Sequence, residues 1–178
     1  MARLAPSLIN CFDELNLRWP HRDHKSDGWI GDKAHQARQS DHNPDSRGIV
    51  HAIDIDHDGI DAGLVVGLCA RPDRPTEYVI YNRYIYRRKD DFEPKRYTGS
   101  NPHTGHIHVS IRYGTGFEGS EWHWGIALPG GDASTIVPVG PTEEMTDWRA
   151  YVSRTGDEFT GAATSLAHSI QAINGQLT

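Results

Sequence analysis

The chain has 178 residues, of which 37% are hydrophobic and 24% charged, with 18 Gly and 10 Pro; this suits one loop-rich globular core with an appendage and excludes both two full-sized domains and wholesale disorder. Eighteen Lys and Arg against 24 Asp and Glu give a formal charge of −6, which excludes a broad, sequence-independent grip on nucleic acid or on an anionic membrane. No stretch holds the roughly 18 to 20 apolar residues that membrane insertion requires. Pro6, Asn10 and Asp13 interrupt the N-terminal segment before a signal-peptide core can form, so the expectation is synthesis in a cytoplasm without a signal peptide. Cys11 and Cys69 are the two cysteines; both fall in segments that read as helix, and they suit core packing in a reduced compartment better than a disulfide framework.

Taken in chain order, Leu8, Phe12, Leu15 and Trp19 recur at helical spacing from Pro6 to Trp19, with the proline in the first turn. A polar segment with scattered aromatics follows to Trp29. Asp32 then stands as N-cap of a short helix, KAHQARQ, which delivers Ser40-Asp41-His42. After the turn-forming run NPDSRG, the alternation in IVHAIDID predicts a strand with Ala52, Asp54 and Asp56 on one face and His51, Ile53 and Ile55 on the other. Gly59 to Ala70 has helical periodicity and Pro72 just beyond its end. EYVIYNRYIYRR predicts two strands around a tight turn at Asn82, and HIHVSIR a further strand with His106, His108 and Ser110 on one face.

These elements predict an α+β fold: a small, mostly antiparallel sheet flanked by helices, occupying residues 1–128. Residues 129–141 have the Pro/Gly-rich composition of a linker. Residues 142–178 read as a partly helical appendage or the start of a targeting region, with Phe159, Leu166, Ile170 and Ile173 on one side.

The chemistry concentrates in the histidines. The chain has 11, and His103, His106 and His108 fall within six residues. Joining the two polar strand faces puts His42, Asp54, His106 and His108 together. Two His and one Asp meet the ligand count of a hydrolytic zinc site, which leaves a fourth position for water. In a His-x-His pair on a strand both side chains point the same way, so one can hold metal while the other faces the reacting water.

The motifs S40-D-H42, A52-I-D54 and H103-x-x-H106-x-H108 resemble the active-site pattern of the zinc peptidases that cut bacterial cell-wall peptides. That group includes D-alanyl-D-alanine carboxypeptidases, L-alanyl-D-glutamate endopeptidases of phage endolysins, and relatives of lysostaphin and the hedgehog signalling domain. GDKAHQARQSDHNP, EYVIYNRYIY and YTGSNPHTGHIHVS look, more narrowly, like peptidase domains of lysins from phages of actinobacteria, over about residues 5–128. The resemblance implies a hedgehog/D-Ala-D-Ala peptidase-like architecture, one catalytic Zn2+ on His42, Asp54 and His108, and His106 with His103 handling the proton and the oxyanion. It implies hydrolysis of a peptide bond in peptidoglycan as an endopeptidase or carboxypeptidase, acting on the wall after release from the host cytoplasm. Ser40 corresponds to the family's Ser before the first ligand, and Gln36 and Arg38 flank that motif, Arg38 suited to pair with a substrate carboxylate. The chain departs from the pattern in two places. Eleven residues separate His42 from Asp54, more than in the family, which implies a loop insertion. Gly105 stands where many members carry an acidic general base, and the H103-x-x-H106-x-H108 arrangement instead resembles the group's histidine-using branch.

Other readings stand beside these. Asp56 shares the strand face of Asp54 and is the alternative carboxylate ligand. D54-I-D56-H-D58-G59 imitates the start of a calcium loop, but Val65 occupies the position of the bidentate Glu. The tyrosines from Tyr78 to Tyr86 read as sheet core or as a stacking platform for a glycan. A non-catalytic, metal-stabilised binding or virion protein, or a zinc hydrolase of another peptide or amide, would carry the same ligands.

Overall fold

The computed structural model describes residues 1–31 and 39–127. The chain divides into two units, Met1–Gly140 and Pro141–Thr178, and every described residue belongs to the first. The predicted helix KAHQARQ with its Asp32 cap, the calls on Gln36 and Arg38, the linker and the appendage all lie outside the described residues.

The fold is α+β. Strand β1 (Arg3–Leu4) leads into helix α1 (Pro6–Arg18); β2 (Ile49–Val50) and β3 (Ala52–Asp56) precede α2 (Ala62–Cys69). Strands β4 (Thr76–Tyr81) and β5 (Tyr84–Arg87), a 3-10 turn at Arg88–Asp90, β6 (Pro94–Arg96), β7 (His106–Ile111) and the one-turn α3 (Thr115–Glu118) follow. The main sheet has the order β3-β7-β4-β5-β6 and is antiparallel throughout. The predicted hairpin closes at Asn82 and Arg83, both at positive φ, the backbone that a two-residue connection between twisted strands demands.

The alternation read from IVHAIDID and HIHVSIR places an apolar row on one side of the sheet. Ile53, Ile55, Val79, Ile107, Val109 and Ile111 are fully buried, each contributing about 1.5–3 kcal/mol of burial. Helix α2 packs against β4 and β7, and Cys11 of α1 meets Cys69 of α2. Both cysteines are free and buried; burial, then the neighbouring Cys69, pushes the Cys11 thiol up, as befits packing groups.

Helix α1 also closes the domain. Glu14 accepts the backbone N–H groups of Trp124 (2.8 Å) and Ile126 (2.7 Å), Arg18 donates to the Ile126 carbonyl (2.9 Å), and Asn10 donates to the Trp122 carbonyl (3.0 Å). One polar stripe at four-residue spacing thus satisfies an irregular segment that has no ladder of its own.

Two expectations need correction. The strand predicted over IVHAIDID is two strands: β2 pairs in parallel with β1, the chain breaks at His51, and only β3 joins the main sheet. Helix α2 starts at Ala62 rather than Gly59, because Gly59 sits at φ +80 and Asp61 caps the helix by accepting the Leu64 N–H at 2.9 Å. The short β1, β6 and α3 carry too few residues for any periodicity to reveal them. Among the described residues no helix is long and apolar enough to cross a membrane.

Candidate metal centre

The polar face of the sheet carries the site. Asp54 on β3 stands directly opposite His108 on β7, and Asp56 opposite His106. The loop before β2 brings in His42, so that His42, Asp54 and His108 each offer a donor atom to one point. His108 Nδ1 lies 2.9 Å from Asp54 Oδ1, His42 Nε2 lies 3.3 Å from the same oxygen, and the two nitrogens are 3.1 Å apart.

The segment from Gly28 to Gly31 fixes this triangle. Gly28 exchanges both backbone hydrogen bonds with Asp54, at 2.7 and 3.0 Å, so the outer side of β3 is paired and Asp54 cannot swing with a free edge. Gly31 N–H donates to the His42 carbonyl at 3.0 Å. The Trp29 carbonyl accepts from His42 Nδ1 at 3.2 Å, which assigns the proton of a neutral ring to Nδ1 and turns the Nε2 lone pair toward Asp54. Ser40 completes the turn: its Oγ accepts the His42 backbone N–H at 3.3 Å.

With neutral rings, protons alone do not satisfy this arrangement. With the His42 proton held by Trp29, two lone pairs, on Nε2 and on Asp54 Oδ1, face each other at 3.3 Å, and His108 Nδ1 can donate across only one of its two short contacts. A cation among them would engage all three donors. The spacing suits it, because N and O donors about 2.0–2.2 Å from a tetrahedral zinc stand roughly 3.3 Å apart. Without a metal the conflict falls to protonation: burial would lower His42, but Asp54 raises it; burial would raise the Asp54 carboxyl, but hydrogen bonds from His108 and a protonated His42 and their charge hold it far below the usual carboxylate range, so the anion is the stable form.

Two more imidazoles flank the triangle. His106 Nε2 is 3.7 Å from Asp54 Oδ1, with a half-buried side chain. The His103 ring packs edge-on against His106 (4.9 Å) and His108 (5.5 Å). His103 sits at φ 51, a left-handed backbone uncommon for a side-chain-bearing residue and concentrated at functional sites. Burial, followed by the neighbouring His108 and His106, brings His103 down to about 4; burial also lowers His106, against the pull of Asp54. Both rings are therefore neutral near pH 7. The Asn101 carbonyl accepts from His103 Nδ1 at 2.7 Å, which leaves a lone pair on Nε2.

No protein-family model matches the chain, and no curated protein or solved structure is significantly similar to it. The residues and their geometry therefore carry the functional reading.

The structure brings together His42, Asp54, His103, His106 and His108, and it separates Asp56 from them. Asp56 accepts the backbone N–H groups of Ser26 (2.8 Å) and Asp58 (2.9 Å), so its carboxylate holds a loop and Asp54 alone completes the triangle. This also dissolves the calcium-loop reading, since Asp54 and Asp56 address different partners. The excess residues between His42 and Asp54 form a loop pinched at its base, where His51 N–H donates to the Asp41 carbonyl at 3.0 Å.

Sequence reading passed over three contributors. The Trp29 carbonyl leaves no sequence signal. Tyr78 stacks on His108 at 5.4 Å and 20°, so it is neither plain core nor free platform. Glu118 heads a second group, Asp45, His51 and Glu118, whose donor atoms also converge. Arg47 fills that one, donating to Asp45 Oδ2 at 2.7 Å and to Glu118 Oε1 at 2.6 Å.

Proposed function

We propose that the protein is a zinc-dependent hydrolase that cleaves a peptide bond in bacterial peptidoglycan, with the architecture of the hedgehog/D-Ala-D-Ala peptidase group. The observation that carries the metal-dependent reading is the triangle of His42 Nε2, Asp54 Oδ1 and His108 Nδ1, three donor atoms close together with no Lys or Arg of the described residues between them. The resemblance of the SDH, AID and HxxHxH motifs supplies the substrate class.

Zinc held there would polarise a scissile carbonyl and bring the pKa of water toward about 7. His106, neutral near pH 7 and on the same sheet face, takes the proton from the attacking water and returns it to the leaving amine. His103 presents a lone pair at Nε2, so it orients a donor in the ground state; steadying an oxyanion requires its protonated form. Ser40 sets the turn that presents His42, and Gln36 with Arg38 are the proposed contacts to substrate. Released into a wall compartment, such an enzyme acts as an endolysin-type peptidase.

The test is mass spectrometry of fragments released from purified actinobacterial peptidoglycan by zinc-loaded and by chelator-treated protein. New amino and carboxyl termini that depend on zinc are expected, and they name the bond. Intact stem peptides in the presence of stoichiometric zinc would remove the peptidase reading.

A further inference from the structure

Immediately before the first metal-site histidine lies a carboxylate that the chemistry does not use. Asp41 is half-buried, and three hydroxyl groups from outside its own loop donate to it. Tyr78 on β4 reaches Oδ2 at 2.8 Å and Ser110 on β7 reaches the same oxygen at 2.5 Å. Tyr113, beyond the end of β7, reaches Oδ1 at 2.7 Å. The two carboxylate oxygens have lone pairs enough to accept from all three hydroxyls at once.

The placement of these donors is specific. Ser110 lies two residues after His108 on the same strand face, so its hydroxyl and the His108 ring share one rigid row. Tyr78 pairs with Ser110 in register, and its ring lies flat on the His108 ring. A single side chain thus touches both halves of the triangle: its ring orients His108, and its hydroxyl holds the residue next to His42. Tyr113 stacks on the fully buried His51 at 4.0 Å, and His51 closes the base of the inserted loop through its bond to the Asp41 carbonyl. Asp41 is therefore pinned at its carboxylate by β4 and β7 and at its carbonyl by the chain entering β3.

We infer that Asp41 is the positioning residue of the metal centre: through Ser110, Tyr78 and Tyr113 it fixes the loop that carries His42 at the distance from His108 that a tetrahedral ion needs. This rests on the proposed metal site and not on any particular substrate. Groups that orient metal ligands from behind typically change metal affinity by about 10–100-fold, so the effect is measurable without turnover.

The experiment uses the full chain and compares wild type with Asp41→Ala, Asp41→Asn, Tyr78→Phe and Tyr113→Phe. It measures zinc affinity by competition with a chelating dye, the visible spectrum of the cobalt-substituted protein, and thermal unfolding without metal. Asp41→Ala is expected to weaken zinc by 10–100-fold and to shift the cobalt bands. Asp41→Asn keeps the shape and part of the acceptor capacity and should recover part of both. Tyr78→Phe retains the ring on His108 and loses only the hydroxyl, so a cobalt shift without a change in metal-free unfolding assigns the effect to positioning rather than to folding. Tyr113 is 53% exposed, so its Phe variant folds and gives the smallest change. Unchanged zinc affinity and cobalt spectra across the series, with wild type binding one zinc, would overturn the inference and leave the metal site standing. A wild type that binds no zinc would overturn both.

Discussion

Two clusters in this molecule contain the same kinds of groups and have opposite characters. His42, Asp54 and His108 converge on one another, whereas Asp45, His51 and Glu118 converge on the guanidinium of Arg47. In the second cluster the positive charge is covalently part of the chain, the buried His51 donates to Glu118 at 2.7 Å, and the Gly114 N–H adds a further bond at 2.8 Å. In the first, no Lys or Arg among the described residues reaches the carboxylate, and the Trp29 carbonyl turns a lone pair inward. What separates a candidate metal centre from an ion-pair knot is thus whether the protein supplies its own cation, not which ligand types are present.

The sharpest way to break this comparison is to remove His106, the base proposed beside the first cluster. His106→Ala is expected to reduce peptidoglycan cleavage by about 10²- to 10⁴-fold while zinc stoichiometry, read by metal analysis, stays at one. Equal loss of zinc and activity would instead make His106 a ligand. Zinc at about a thousand times its Kd should then raise the unfolding free energy of wild type by about 4 kcal/mol. His108→Ala should abolish that gain in a denaturant titration, and Glu118→Ala should leave it intact. In the second cluster, Glu118→Ala orphans the buried His51 Nε2–H and the Gly114 N–H at about 1–3 kcal/mol each, which predicts a loss near 3 kcal/mol of metal-free stability.

The smallest expected effect is a pH dependence. Burial would raise the Glu118 carboxyl, but Arg47, His51 and the Gly114 amide bring it down to about 2 from an ordinary 4.5. A depressed folded-state value stabilises the fold above about 4.5 and ceases to do so as the pH falls toward 2. Chemical denaturation across pH 5 to 2 should show this decline, and Glu118→Gln should flatten it. An identical slope in the variant would assign the acid loss to other carboxylates.

Much of the site is legible along the chain because strands translate sequence directly into geometry. The period of two in AIDID and HIHVSI puts Asp54, His106 and His108 on one face, and antiparallel pairing then sets Asp54 opposite His108. His42 follows from the SDH motif. The discrimination between Asp54 and Asp56 is not legible, since both share a face; it depends on the Ser26 and Asp58 amides that occupy Asp56. Arg47 at the centre of the second cluster is equally hidden, because Glu118 lies 71 positions away.

The sequence by itself determined the α+β class, the hairpin at Asn82, the apolar face of the sheet and the residue types able to hold a metal, because local backbone periodicity and turn chemistry act within a few residues. Only the tertiary structure decided which carboxylate completes the triangle, which nitrogen of His42 faces it and which cluster already contains its cation. Those outcomes depend on backbone carbonyls and amides brought from distant segments, and such groups are the same in every residue until the fold gives them a position.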